Sequence, residues 1–283
     1  MPEGDTIFRA ARTLNRALAG KIVTAFRTVL PKLSRFDEDH PITGRVIGSV
    51  QSSGKWLTIY FSGDLVLLTH MRMNGSWHIY RPHERWQRPS GDMRIVIETP
   101  DFVAVGFNIP VAEFHTEKSL AQRSGVSQLG SDILAPEFNA ALAAAALRSA
   151  PEWGVGEALL RQSLIAGLGN VYKSEVCFAC GINPFRLVGS LTDSELECLI
   201  RTAHKFLRAN VTDASGRGMV TYTGFRRTTG RASAADRLWV YARAAQPCRR
   251  CGTAIERSKQ ASDARVTFWC PRCQALSSGQ PKL

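Results

Sequence analysis

The pattern of apolar and polar positions changes period along the chain, beginning with a helical period. Over 5–18, apolar residues recur at the three- and four-residue spacing of one helical face. Asp5 is a residue type that favours a helix start, and Gly20 one that favours a helix end. The sequence therefore predicts a leading helix over 5–18.

From residue 22 to about 107 the period becomes that of strands. Short segments rich in β-branched and aromatic residues are separated by Gly, Asp, Asn and Pro. These segments are 56–61, 65–68, 77–80, 94–98 and 102–105. Many short strands at close spacing predict an antiparallel sandwich or barrel.

Helical periodicity returns after residue 135. The predicted helices are 137–147, 155–165, 171–180 and 193–207. The polar stretch 116–135 predicts a linker, the Gly-, Thr-, Ser- and Arg-rich stretch 212–236 predicts a mobile loop, and 238–242 predicts a short strand. The chain is thus predicted to be an α+β multidomain protein. Its predicted parts are a β domain over 1–115, the linker, a helical domain over 136–240 and a cysteine finger over 241–283.

Charge is concentrated at the C-terminal end. The net charge is +12, and residues 201–283 alone contain 16 Lys and Arg against 4 Asp and Glu. Such a distribution is typical of a surface that binds a polyanion, although a solubilising surface or a basic tail has the same composition. The aromatic residues and cysteines of the same region argue against a tail.

Charged residues also bear on location. They interrupt the first twenty residues, and no apolar run is long enough to span a membrane. We therefore expect a cytoplasmic protein that does not enter a membrane.

The strongest local motif is a pair of Cys-x-x-Cys units. Cys248 and Cys251 are followed, after eighteen residues, by Cys270 and Cys273. This spacing is typical of a tetrahedral four-thiolate zinc site, and a reducing cytosol favours metal binding over disulfides. Because all four positions are filled, we expect one structural zinc ion with no open coordination position. The alternative is a chance spacing.

The other three cysteines lack such a pattern. Cys177 and Cys180 lie in an apolar helical stretch with no second pair to complete a metal site. Free cysteine often behaves as a small buried hydrophobe, and Cys198 has the same character. We expect all three to be core residues.

The N-terminus offers a candidate nucleophile. Removal of Met1 would leave Pro2 with a free secondary amine, and Glu3 follows it. A secondary amine that attacks a sugar aldehyde carbon gives a cationic iminium, which withdraws electrons and promotes elimination of a neighbouring phosphate. Glu3 would be a general acid beside it. Many proteins begin this way, so the pair gains weight only from the motifs around it.

A glycine-rich turn provides a candidate phosphate site. Gly167 and Gly169 permit a tight turn, and Asn170 then opens a helix whose N-terminal N–H groups favour an anion. The alternative is an ordinary helix–helix turn.

Taken together, these motifs resemble one family. They are, in order, MPEG at 1–4, GKWL at 54–57, HMRMNG at 70–75, GLGNVYKSE at 167–175 and the four-cysteine finger. The combination is similar to the Fpg/Nei family of DNA glycosylases (formamidopyrimidine-DNA glycosylase and endonuclease VIII) from residue 2 to about 274. The resemblance implies an N-terminal β-sandwich, a helix-two-turn-helix domain and a zinc finger, with damaged double-stranded DNA held between the two halves by a monomer.

The resemblance also assigns catalytic roles. Pro2 would be the Schiff-base nucleophile, Glu3 the acid that assists opening of the sugar ring, and Lys55 a strand lysine facing the sugar–phosphate near the lesion. Extrusion of the damaged base costs a few kcal/mol, and an apolar side chain at Met73 would fill the gap in the duplex. Met73 as a core residue is the alternative.

Further residues would bind DNA by the same resemblance. Asn170 and Lys173 would contact DNA at the two-turn motif, and Arg265 would grip phosphates that flank the everted nucleotide. An ordinary surface charge is the alternative for Arg265, as it is for Lys55. We assign His70 a structural hydrogen-bonding role rather than chemistry.

Two positions depart from the family pattern. Thr6 replaces a glutamate common in relatives. The stretch 109–113 lacks the Arg and Phe with which the purine-lesion branch recognises the opposite cytosine and wedges the duplex. This favours the endonuclease VIII side, whose substrates are oxidised pyrimidines and abasic sites, whereas Met73 is typical of the purine branch.

Three functions fit these features to different extents. The favoured one is a bifunctional glycosylase and abasic-site lyase that cuts by β and then δ elimination, with oxidised pyrimidines as its bases or, alternatively, oxidised purines. The second is a protein of the same fold that binds damaged DNA without cutting it. The third, an RNA-binding zinc-ribbon protein, leaves the first 110 residues unexplained.

Overall fold

A computed structural model describes residues 2–211, 228, 237–260 and 265–276 of the chain. The chain divides into two compact units, and the division falls between residues 128 and 129. The loop predicted at 212–236 lies, apart from residue 228, outside the described residues.

The first unit begins with a helix followed by strands. Helix α1 spans Gly4–Leu18, within one residue of the prediction. The strands are β1 Ala25–Thr28, β2 Ile47–Ser53, β3 Trp56–Phe61, β4 Leu65–His70, β5 Ser76–Tyr80, β6 Met93–Glu98, β7 Val103–Phe107 and β8 Val111–His115. Helix α2, Pro31–Asp39, lies between β1 and β2, and a 3-10 turn, Ser90–Asp92, precedes β6.

These strands form two four-stranded antiparallel sheets. One sheet has the order β1-β6-β7-β5 and the other β2-β3-β4-β8. Alternate residues of both sheets enter one core, so that Ile95 and Ile97 of β6 are buried with Leu57 and Ile59 of β3. The predicted antiparallel arrangement is confirmed, and the sheets form a sandwich rather than one closed barrel.

The stretch predicted as a linker, 116–135, instead contains structure. Helix α3 spans Glu117–Gln122, α4 spans Ser124–Ser127, and β9 is Ser131–Asp132. Leu120 packs on Val66 and Leu68, which point outward from β4. The polar sequence therefore covers an apolar sheet face, and the few apolar residues that do so are too sparse to give a periodic signal.

The second unit is helical. Its elements are α5 Ala140–Arg148, α6 Val155–Ala158, β10 Ile165–Ala166, α7 Asn170–Ala179, a 3-10 turn Val188–Ser190 and α8 Asp193–Val211. Of the predicted helices, only 155–165 is much too long. The chain turns there because the Gln162 side chain donates to the Leu168 carbonyl and accepts from the Gly167 N–H, both at 3.0 Å.

A two-stranded hairpin completes this unit. Strand β11, Glu256–Gln260, pairs antiparallel with β12, Arg265–Trp269. The strand predicted at 238–242 is absent from the described structure, where these residues form bends and a turn. No described helix is both long and apolar enough to cross a membrane.

The cysteines outside the finger divide into two kinds. Cys177 is fully buried, as expected, and burial raises the pKa of its thiol to about 12. Cys180 and Cys198 are instead joined as a disulfide between α7 and α8, with Cα atoms 6.0 Å apart. The expectation of core thiols is wrong for this pair, because both lie half-buried on neighbouring helices.

Candidate active site and zinc centre

The start of α1 fixes the candidate nucleophile and acid. Pro2 is buried and Glu3 is fully buried. The Glu3 carbonyl accepts hydrogen bonds from the Thr6 and Ile7 N–H groups at 2.9 and 3.1 Å, which ties Glu3 to the first helical turn. The first unit therefore holds both residues in a defined place.

A cavity of about 360 Å³ lies beside Pro2. Its lining comes from the loop between β4 and β5, from β5 itself, and from residues before β6 and after β7. The lining residues are Pro2, Met73, Asn74, Gly75, Ser76, His78, Arg88 and Asn108. The structure thus brings two predicted site residues, Pro2 and Met73, to one cavity.

Met73 lies at the tip of a tight turn. Its side chain is 61% exposed, whereas Met71 is buried, so the core interpretation of Met73 is wrong. The turn needs a glycine at position 75, because a Cβ there would lie 2.5 Å from the Met71 carbonyl oxygen. An exposed apolar side chain on a fixed turn is what a duplex wedge requires.

Lys55 lies in the turn between β2 and β3, immediately before β3 rather than on the strand itself. Gly54 has a φ of 57° in this turn. Lys55 is half-buried, and its positive charge is one of those that act on the nearby ring of His70.

His70 has the structural role expected of it. Its Nδ1 accepts the Arg72 N–H at 3.0 Å, which supports a residue with a φ of 49°. Burial, followed by the positive charges of Arg72 and Lys55, lowers the pKa of His70 to about 4. The ring is therefore neutral at pH 7 and suited to accepting that bond.

The stretch that lacks the purine-branch Arg and Phe forms the start of β8. Glu113 binds the Arg123 guanidinium through both oxygens, at 2.8 and 3.0 Å, and Arg123 stacks 4.4 Å from the Trp56 ring. Hydrogen bonding to Arg123 lowers the pKa of Glu113 to about 2. Sequence reasoning missed this pair, because no local spacing links residues ten positions apart across a strand and a helix.

In the second unit, α7 carries the two predicted DNA contacts of the two-turn motif. Asn170 donates from Nδ2 to the Val266 carbonyl at 2.8 Å, and its buried Oδ1 has no hydrogen-bond partner among the described residues. Lys173 is fully buried, and its Nζ donates to Thr267 Oγ1 at 2.6 Å. The prediction that Lys173 contacts DNA is contradicted, because its ammonium is turned inward to the hairpin.

Glu175 is a buried residue for which the sequence suggested no role. Its carboxylate accepts the backbone N–H groups of Trp239, Val240 and Tyr241 at 2.8, 2.9 and 2.8 Å, and also the Thr228 hydroxyl. These bonds fix the chain just before the finger. The only signal was its place at the end of the GLGNVYKSE motif.

Arg265 begins β12 opposite Gln260 and is exposed. This exposed position agrees with a phosphate contact.

The four finger cysteines form a site that fits zinc. Their sulfurs all lie within 4.8 Å of one another, with Cys248 to Cys273 at 3.9 Å and Cys251 to Cys270 at 3.5 Å. Zn–S bonds of about 2.3 Å in a tetrahedron place sulfurs about 3.8 Å apart. The donor set is all thiolate and closed, so the ion has a structural role.

Backbone amides and a small core surround these sulfurs. The N–H groups of Arg250 and Cys273 point at the sulfurs of Cys248 and Cys270, each at 3.4 Å. Behind them, Phe268 packs with Ile255 and Val240. So small a core requires the metal for its stability.

Comparison with known domain families gives three matches. They are the formamidopyrimidine-DNA glycosylase N-terminal domain over residues 1–108, the formamidopyrimidine-DNA glycosylase H2TH domain over 129–221, and a zinc finger found in FPG and IleRS over 245–276.

Comparison with individual proteins gives matches over nearly the full length. A probable endonuclease 8 2 of Streptomyces coelicolor is 38% identical over 99% of this chain and 96% of its own length. The DNA-(apurinic or apyrimidinic site) lyase Nei2 of Mycolicibacterium smegmatis is 36% identical over 98% and 100%. The solved complex of Lactococcus lactis Fpg with abasic-site DNA matches with a TM-score of 0.80 at 22% identity, covering 97% of this chain and 100% of that one.

Proposed function

Since the chain belongs to the Fpg/Nei family, and is thus a base-excision-repair DNA glycosylase with abasic-site lyase activity, we propose that Pro2 is its nucleophile and oxidised pyrimidines its preferred bases. The observation that carries this is the placement of Pro2: it is buried at the start of α1, beside a buried carboxylic residue, Glu3, and it lines a cavity with Met73.

The chemistry follows from these groups. After Met1 is removed, the Pro2 nitrogen attacks C1′ of the everted nucleotide, the bond from C1′ to the base breaks, and the base leaves. The resulting iminium is an electron sink for β and then δ elimination of the flanking phosphates. Glu3 donates the proton that assists opening of the sugar ring, and Lys55 lies near the sugar–phosphate.

The pyrimidine preference rests on two observations. Relatives named endonuclease 8 2 and Nei2 are 36–38% identical, whereas a formamidopyrimidine-DNA glycosylase of Heliobacterium modesticaldum and an endonuclease 8 of Escherichia coli are 31% and 29% identical. Glu113, committed to Arg123, occupies the stretch where the purine branch carries its Arg and Phe. Met73 supports the purine alternative, so a lesion panel of thymine glycol, dihydrouracil, 8-oxoguanine and abasic duplexes compares the two directly.

We also propose that the enzyme acts as a monomer on damaged double-stranded DNA in the cytoplasm. Arg265 and Asn170 contact phosphate in this proposal, and the zinc ion held by the four cysteines keeps the finger folded. The domain limits that we propose are 1–115, 136–240 and 241–283.

Borohydride trapping tests the nucleophile. With an abasic duplex, the wild-type enzyme should form a covalent complex, and Pro2→Gly should reduce its yield at least a hundredfold. Mass spectrometry should show the active protein without Met1. A wild-type enzyme that is active with Met1 attached, or that traps no DNA, would contradict the imine mechanism, whereas binding without trapping would support the non-cutting alternative.

A further inference from the structure

The cavity beside Pro2 is lined by polar groups that the proposed attack by Pro2 does not involve. Ser76 and His78 line it from β5, Arg88 from the loop before β6, and Asn108 from the turn after β7. Ser76 and His78 lie on the outer face of their sheet, since Trp77 between them points into the sandwich core.

The lining indicates which part of a nucleotide the cavity suits. Pockets for an extruded base usually stack it between aromatic or apolar side chains. Apart from His78, no lining residue of this cavity carries an aromatic ring, and its apolar residues, Pro2 and Met73, already have the proposed roles of nucleophile and duplex wedge. The cavity also connects Met73, the proposed wedge in the duplex, to Pro2, which attacks C1′. If Pro2 and Met73 have these proposed roles, the segment of DNA between the two points is the sugar–phosphate backbone of the everted nucleotide.

Arg88 is the cationic side chain of this lining. The loop that carries it is held in place by Trp86, whose ring packs on Phe107 at 5.6 Å and on Tyr80 at 6.4 Å. The Arg88 guanidinium lies 3.9 Å from Asp92, beyond hydrogen-bond distance, and the side chain is 37% exposed. Within the described parts of the chain, the Arg88 guanidinium has no other charged partner, so its donors can face a ligand.

His78 supports the same wall. Its Nε2 lies 3.0 Å from Ser76 Oγ and its Nδ1 lies 3.3 Å from the Tyr80 hydroxyl. Burial, and then the charge of Arg88, lowers the pKa of His78. The ring is therefore neutral at pH 7, and no imidazolium opposes the guanidinium or holds an anion elsewhere in the cavity.

We propose that Arg88 binds a backbone phosphate adjacent to the nucleotide that Pro2 attacks, with His78 as a positioning residue for that wall. A guanidinium binds phosphate through two parallel N–H bonds, which fixes the direction of the phosphate as well as attracting it. This inference rests on the proposed function, because the role of Pro2 defines which nucleotide lies in the cavity.

A matched pair of variants tests Arg88. Arg88→Gln should raise the Kd for a duplex with a stable abasic-site analogue about tenfold, and should do so equally for duplexes with different lesions. It should also reduce the slope of log K against log salt by about 1, the contribution of one lost phosphate contact. Arg85→Gln removes the same charge from the same exposed loop outside the cavity and should change the Kd less than twofold. Arg88→Lys should restore part of the affinity.

Neutral methylphosphonate at each phosphate flanking the abasic site identifies the partner. The effect of Arg88→Gln should disappear at one of these positions, since the charge on its partner is already removed. If Arg88→Gln raised the Kd by the same factor at every methylphosphonate position, or by a factor that varied with the damaged base, phosphate binding would be overturned and base recognition indicated. If the wild type traps DNA but Arg88→Gln and Arg85→Gln have equal Kd values, the role of Arg88 is overturned and the role of Pro2 is not. Failure of the wild type to trap DNA would instead overturn the role of Pro2. Melting temperature and zinc content confirm that each variant is folded.

Discussion

At the scale of one residue, Glu113 departs from the family pattern and has a structural role in this protein. Its carboxylate binds Arg123, which also stacks on Trp56. The position is therefore committed to holding α3 and α4 against the sheet.

This pair should make stability depend on acid pH. The folded-state pKa of Glu113 is about 2, below its ordinary value of 4.5, so the pair stabilises the protein fully above pH 4.5 and ceases to do so as the pH falls through 2. Glu113→Gln should cost about 1 kcal/mol at pH 7, because a side chain that is 37% exposed is screened by solvent.

Urea unfolding at several pH values measures this effect. The variant should lose less stability than the wild type between pH 4.5 and 2. Glu117→Gln, an exposed residue on α3, is the control and should follow the wild type. Parallel losses in Glu113→Gln and the wild type would contradict the assignment.

At the scale of elements, α7 joins the helical part of the second unit to its finger. Glu175 fixes residues 239–241, Lys173 bonds Thr267, and Asn170 bonds Val266. One helix thus holds the hairpin from one side and the segment before the finger from nearly the opposite side, which explains why polar residues all round α7 are buried.

Replacing Glu175 should loosen this connection. Glu175→Gln keeps the shape but presents an NH2 group to backbone N–H donors, which should cost about 2–3 kcal/mol of unfolding free energy. Glu197→Gln, which removes an exposed ion pair with Arg201 on α8, should change stability by less than about 0.5 kcal/mol. Equal effects of the two variants in urea unfolding would contradict the role of Glu175.

The finger should depend on its metal. Cys251→Ser should abolish stoichiometric zinc binding and lower DNA affinity at least about tenfold, since thiolate coordination supplies the folding energy of so small a core. Cys177→Ser is the control, because Cys177 is buried in α7 outside the metal site and should leave one zinc per chain. Metal analysis and binding titrations measure both, and zinc loss in Cys177→Ser would contradict the assigned ligands.

At the scale of the whole molecule, charge governs how the enzyme meets DNA. The net charge of +12 matches the excess of basic residues in 201–283, the part of the chain that contains the finger. Phosphate contacts should therefore dominate affinity, and binding should weaken steeply with salt.

Two basic residues of the second unit should separate phosphate contact from structural support. Arg265→Ala should weaken binding to all lesions and reduce the salt slope by about 1. Lys173→Met should leave the slope unchanged but lower the melting temperature, because Lys173 bonds Thr267 inside the protein. Salt titrations decide this, and an equal loss of slope in both variants would show that Lys173 reaches phosphate.

The sequence by itself determined the features that neighbouring residues encode. Periodicity located α1 and most strands of the sandwich, and Cys-x-x-Cys spacing identified the zinc ligands. The pattern did not predict strand β8, because its residues are all half-buried and do not alternate between buried and exposed. Its Glu113 is bonded to Arg123, which lies outside the strand.

Only the tertiary structure decided where polar side chains point. The fold turns the Lys173 side chain inward to Thr267, and it brings Glu175 to residues more than sixty positions away in the chain. It also placed Arg88 on the wall of the cavity that contains Pro2. Such contacts link residues far apart in the chain, so the local pattern contains no information on which partner each side chain meets.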